Sequence, residues 1–182
     1  MNRWRLGLGI LVVLVMTTGW ARAESDCTII YGEDWAFVFE APARWTSQCR
    51  TENSVGAALA LWPEGNTFAD ASAVMYVTVN ERKPRPLKAF AADEQRRFRA
   101  SVPDVVVRAE APMAVGGGAT ALVFRLTGDP GQNQELIAYV EGPTRFFIVV
   151  ISARNAHSLE QYQGVFQSLL KSFVPMRAKT TQ

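Results

Sequence analysis

The side chains able to do chemistry are few and scattered. His157 is the single histidine of the chain. A metal site or a general base built on it needs a second ligand or a nucleophile nearby, and no spacing around His157 supplies one. It stands at the start of a helical pattern, where a solvent-facing or capping role suits it. No serine lies in a G-x-S-x-G turn and no H-E-x-x-H pair occurs, so the signatures of serine hydrolases and zinc proteases are missing. Gly116-Gly117-Gly118 is not followed by Lys-Ser or Lys-Thr and falls between two strand patterns, which makes it a hairpin loop rather than a phosphate cradle. The carboxylates Glu33-Asp34, Asp93-Glu94 and Asp129 are dispersed, and an enzyme acting through two acids would need them to meet in three dimensions. There is no D-x-D-x-D-G calcium loop. These residues point to no catalytic group, no metal and no cofactor.

The two cysteines, Cys27 and Cys49, suggest structure instead of redox chemistry, because they lack the C-x-x-C spacing. Their setting follows from the front of the chain. Arg3 and Arg5 precede an apolar run from Leu6 to Met16, and Ala21-Arg22-Ala23 places small residues three and one before a cut. That is the pattern of a secretory signal, expected to be cleaved at about Ala23/Glu24; the apolar run is shorter than the roughly 18–20 residues a membrane-spanning helix needs. Residues 1–23 are thus a leader and 24–182 a single domain, periplasmic or secreted. In an oxidising compartment Cys27 and Cys49 are expected to pair, closing a loop of about 22 residues worth roughly 3 kcal/mol.

Removing the leader changes the sign of the charge. The 182-residue chain carries 19 basic and 17 acidic residues. Arg3, Arg5 and Arg22 lie before Glu24 and no acid does, so the exported part has 16 against 17 and a net charge of −1. A globally basic nucleic-acid binder is excluded as a default. The charge is unevenly distributed, however. Between Arg82 and Arg108 eight basic residues face three acids, net +5, which leaves −6 for the rest. Lys88, Arg96 and Arg99 are the candidates for binding an anionic partner, either an acidic protein face or, weakly, lipid headgroups.

The elements that must position these residues begin with strands. Trp35, Phe37 and Phe39 alternate with Ala36, Val38 and Glu40 up to Pro42. Val55–Trp62 and Ala73–Asn80 are expected to be antiparallel neighbours across the turn Pro63-Glu64-Gly65-Asn66. The period then becomes helical. Leu87, Phe90, Ala91, Glu94 and Phe98 share one face, Lys88, Arg96 and Arg99 lie towards the other, and Pro103 marks the end. Val105–Glu110, Thr120–Leu126, Gln134–Val140 and Arg145–Ser152 form an antiparallel meander separated by glycine-rich turns. A closing helix runs from about Ser158 to Phe173, with Ser158 and Gln161 as a capping box, Pro175 as its stop and Arg177–Gln182 as a frayed tail. The fold class is α+β: an antiparallel sheet of about six to seven strands flanked by two main helices, with no repeated βαβ unit.

The segment Trp35-Ala-Phe-Val-Phe-Glu-Ala-Pro-Ala-Arg-Trp45 resembles the opening of PsbP-like and DcrB-like proteins, and the closing Phe166-Gln-Ser-Leu-Leu-Lys-Ser-Phe173 is also similar. The resemblance implies an α-β-α sandwich whose members mostly act as binding or assembly modules. It carries over no catalytic motif. The function expected is therefore an exported, non-enzymatic module of the cell envelope that docks on a protein partner. The alternatives are an immunity or chaperone-like protein for a secreted effector, a small-ligand carrier, and an enzyme whose carboxylates converge only in the fold.

Overall fold

The computed structural model of the chain describes residues 28–49, 56–128 and 131–178. Residues 1–23, where a leader is expected, lie outside the described residues, as do Cys27, Val55, Asp129 and the residues beyond 178, and with them the expectations that rest on them.

The architecture is mixed α+β, with two helices and two antiparallel sheets. The large sheet contains β3 (Trp45–Cys49), β4 (Leu59–Pro63), β5 (Ala73–Glu81), β6 (Val106–Ala109), β7 (Met113–Ala114), β8 (Thr120–Thr127), β9 (Gln134–Glu141) and β10 (Arg145–Ala153). Its order is β3-β4-β5-β10-β9-β8-β6, and β7 also pairs with β8. The two expected strand runs are thus two meanders, stitched together where β5 meets β10 over nine residue pairs, from Ala73↔Ala153 to Glu81↔Arg145. Helix α1 (Leu87–Ser101) carries the chain from β5, in mid-sheet, to β6 at the far edge, and β8, β9 and β10 then work back inwards. The near-continuous apolar run of β10, Phe146 to Ile151, occupies the central position that such a run requires, and most of its side chains are buried.

Alternate side chains of β10 belong to different clusters. Phe147, Val149 and Ile151 join Leu159, Phe166, Leu169 and Leu170 of α2 (Ala156–Ser172). Phe146 and Val150 join Leu87, Phe90 and Ala91 of α1, and the Phe90 and Phe146 rings stack at 4.7 Å. The expected apolar faces of both helices are the buried ones.

Several expectations need correcting. The described residues hold eleven strands rather than six or seven. Trp45–Cys49 is a strand although its side chains are mostly polar, because it is an edge and buries only Trp45. The Trp35–Phe39 pattern gives the short β2 (Ala36–Val38), which lies not in the large sheet but in a second one, between β1 (Ile29–Tyr31) and β11 (Val174–Met176). Pro175 does not simply end the last helix: it sits within β11 opposite Phe37, at the edge of the small sheet where a residue without an N–H is tolerated. The capping box is replaced by a different cap. Asn155 Oδ1 accepts the Ser158 N–H at 2.8 Å, so the helix starts two residues earlier than Ser158 and that serine is buried in its first turn.

Candidate functional site

Helix α1 and the strands beneath it position both the charged candidates and a cleft. On the outer side Lys88, Arg96 and Arg99 are all exposed. At about 100° per residue, Lys88 and Arg99 fall within about 20° of one another around the helix, three turns apart. Arg96 differs from them. Its guanidinium pairs with Asp93, whose other oxygen accepts from Arg85 Nη1 at 2.6 Å. Arg85 in turn lies over the Phe90 ring, its Cζ 4.9 Å from the centroid. Arg97 pairs with Glu94 at 2.7 Å and Arg82 with Glu141. Of the eight basic residues from Arg82 to Arg108, four are thus engaged within the fold, whereas Lys83, Lys88, Arg99 and Arg108 make no ion pair among the described residues.

The carboxylates singled out in the sequence do not gather. Asp34 accepts from Arg145 Nε at 2.9 Å and Nη2 at 2.8 Å, and its carbonyl accepts from Thr144 Oγ1, which fastens the β1–β2 turn to the β9–β10 hairpin. Asp93 and Glu94 hold arginines of α1 and its lead-in. His157 is exposed in the first turn of α2. Cys49 ends β3 and packs against the larger core cluster; its expected partner, Cys27, is outside the described residues. Among the described residues no three of His, Cys, Asp and Glu are grouped so as to hold a metal ion, and no helix is long and apolar enough to cross a membrane.

The structure brings together a set that the residue spacing did not indicate. A cleft of about 260 Å³ opens between α1 and the sheet. Its floor is Ile137, Ile148 and Val150; Phe98 and Glu94 enter from α1, Tyr76 from β5, and Glu135 and Tyr139 from β9. Register explains the convergence. Tyr76 is paired with Val150 and Val150 with Ile137, so they form one line across three strands, and Tyr139 with Ile148 is in the next. Glu94 carried the one signal visible in the sequence, a carboxylate within the apolar face of α1. Glu135 carried none, since its approach to Tyr76 and Tyr139 depends on the β5–β10–β9 pairing.

Both tyrosines titrate above their ordinary value of 10.0, first because burial disfavours the phenolate and then because carboxylates oppose it, Glu135 at Tyr76 and Glu94 with Glu135 at Tyr139. An unfolded chain loses these protons near pH 10 and the folded one does not. Their contribution is therefore complete below that pH and declines above it, at about 1.4 kcal/mol per pH unit for each residue. Denaturant midpoints are expected to fall between about pH 9.5 and 11, and the fall is expected to be shallower in the Tyr76→Phe, Tyr139→Phe double variant.

A second groove, about 410 Å³, lies near β1 and is lined by Tyr31, Glu33, Trp35 and Arg145 together with Ala57 and Val79. Its arginine is the one already bound to Asp34.

Comparisons with known proteins leave the family open. No family model matches the chain, and no curated protein does. Among solved structures, one that matches is a protein of unknown function, PA94 from Pseudomonas aeruginosa, with 9% identity, a TM-score of 0.46, and coverage of 74% of this chain and 84% of that one.

Proposed function

We propose that this chain is an exported, non-enzymatic binding or assembly module of the cell envelope, which docks an acidic face of a protein partner on the outer side of α1. The observation that carries the reading is the alignment of Lys88 and Arg99, exposed and without an ion pair among the described residues, on a helix whose other cations are tied to internal acids. Positive charge held in one stripe of an otherwise acidic domain steers an anionic surface into a single orientation. The same reading takes α1 and α2 as the outer layers of a PsbP-like α-β-α sandwich, supported by the division of alternate β10 side chains between the two helices' clusters. It also takes Glu24 as the first residue of the exported chain and Cys27–Cys49 as its disulfide; intact mass before and after reduction reads both.

The test is charge reversal at Lys88→Glu and Arg99→Glu, with Arg96 left in place because it holds Asp93. Surface changes of this kind shift stability by no more than about 0.5 kcal/mol, so the thermal melt should be unchanged. A partner captured stoichiometrically from the envelope fraction by the unaltered domain is expected to be lost by the variant, and its binding to weaken with added salt. Equal capture by both forms removes α1 as the docking face. Retention on anionic vesicles, with no protein captured, replaces the protein partner by a lipid surface.

A further inference from the structure

The outer face of the small sheet supports a second activity, independent of docking on α1. The alternation of an antiparallel sheet ordinarily puts apolar side chains inwards and polar ones outwards. Here Ile30 and Phe37 point into the core, yet the opposite face is apolar as well. The register sets Ile29, Val38 and Val174 in one row across it and Tyr31, Ala36 and Met176 in the next. Ile29 and Tyr31 remain 51% and 56% exposed. We propose that the hollow in this face binds a small carboxylate with an apolar body, of the kind a medium-chain fatty acid provides.

The second row gives the hollow its shape. Ala36, the smallest side chain, stands between Tyr31 and Met176, and Gly32 extends the depression past the end of β1. The space is about 280 Å³, just below the roughly 300–1,000 Å³ of typical small-molecule sites, which suits a fragment of about six carbons. Ile29 and Tyr31 supply walls, and the unbranched Met176 adapts to what lies against it. The charge comes from Arg177, which follows β11, lines the hollow, is exposed and makes no ion pair among the described residues. No acid is among the described residues that line the hollow; Glu33, one residue past Gly32, lines the separate groove that contains Arg145. An ammonium ligand would meet Arg177 as a like charge. A neutral one would forgo the paired, charge-assisted hydrogen bonds that a guanidinium offers a carboxylate. An alkyl carboxylate satisfies walls and cation together: its chain takes apolar surface out of water while its head stays at the rim.

The experiment titrates the exported chain with hexanoate, hexanamide and hexylammonium while the methyl resonances of Ile29 and Met176 are followed. Hexanoate is expected to shift both saturably, and the neutral and cationic analogues to bind at least about tenfold more weakly, as befits loss of a charge-assisted contact. Arg177→Gln is expected to weaken hexanoate to the level of the amide and to leave the amide unchanged. Ala36→Leu, which fills the hollow, is expected to abolish binding, and Lys88→Glu with Arg99→Glu to leave it intact. N-acetylleucine presents the same chemistry as the end of a peptide; tighter binding than hexanoate assigns the ligand to a protein carboxyl terminus, weaker binding to a free fatty acid. Equal affinity for hexanamide or hexylammonium, shifts confined to methyls elsewhere, or unchanged hexanoate affinity in Arg177→Gln would overturn the assignment. The comparison of hexanoate with its two analogues needs only the unaltered protein, so it decides the matter even if Ala36→Leu fails to fold.

Discussion

Replacing Phe37 by alanine is expected to lower the stability of the domain by about 3–5 kcal/mol, the cost of emptying a fully buried aromatic site. For a chain of this length that corresponds to a fall of roughly 10 °C or more in the melting temperature. The reason is its position rather than its size alone. Phe37 lies on the middle strand of the small sheet, and its ring meets Phe173 at 4.8 Å, Phe147 at 5.7 Å and Trp35 at 6.1 Å. Phe147 belongs to the centre of the large sheet and Phe173 to the end of α2. One ring therefore joins three elements that are remote in sequence. Hydrogen exchange should quicken first at Ile29–Val38 and Val174–Met176, ahead of β5 and β10. Phe146→Ala, on the other side of the sheet against Phe90, makes the control: it should cost as much while leaving the small sheet protected. A Phe37→Ala melt lowered by less than about 1 kcal/mol would mean that the small sheet is an appendage and not part of the core.

What was legible in the sequence depended on how far apart the interacting residues lie. Both helices could be read because their apolar faces repeat within a few residues, and the same holds for β5, β8, β9 and β10. The turn glycines announced the β7–β8 loop, although the two residues of β7 were too few to register as a strand. The small sheet was hidden, because β11 is three residues containing a proline and pairs with a strand more than a hundred residues away. Asn155 and Ser158 are both good capping residues, and only the backbone geometry decides between them in favour of Asn155. At the site, the basic residues of α1 were visible as a charge imbalance, but composition could not separate those tied to Asp93 and Glu94 from Lys88 and Arg99. The cleft was least legible. It is assembled from β5, β9, β10 and α1, and the β5–β10 pairing that creates it leaves no local pattern.

Gly116 illustrates how such long-range packing can be tested at a single atom. Its backbone does not need glycine for a left-handed angle, in contrast to Gly117 at φ 72° and Gly118 at φ 80° in the same loop. What it needs is space. A Cβ at Gly116 would stand 2.7 Å from Val174 Cγ2, 2.8 Å from the Phe173 carbonyl oxygen and 3.0 Å from that of Lys171. A valine methyl can turn aside, but the two oxygens belong to the last turn of α2 and to its C-cap, Phe173, and can move only with the backbone. Gly116→Ala is accordingly expected to cost about 1–3 kcal/mol, the usual range for overpacking, by prising β11 from the small sheet. Adding Val174→Ala should recover only part of the loss, because it removes the methyl and leaves the carbonyls. Denaturant melts of the single and double variants give both numbers, and full rescue by Val174→Ala would place the constraint in that side chain alone. A single variant as stable as the parent would show that the loop and the end of α2 can separate freely, and the β7–β8 hairpin could then not be what braces the carboxyl-terminal strand against β2.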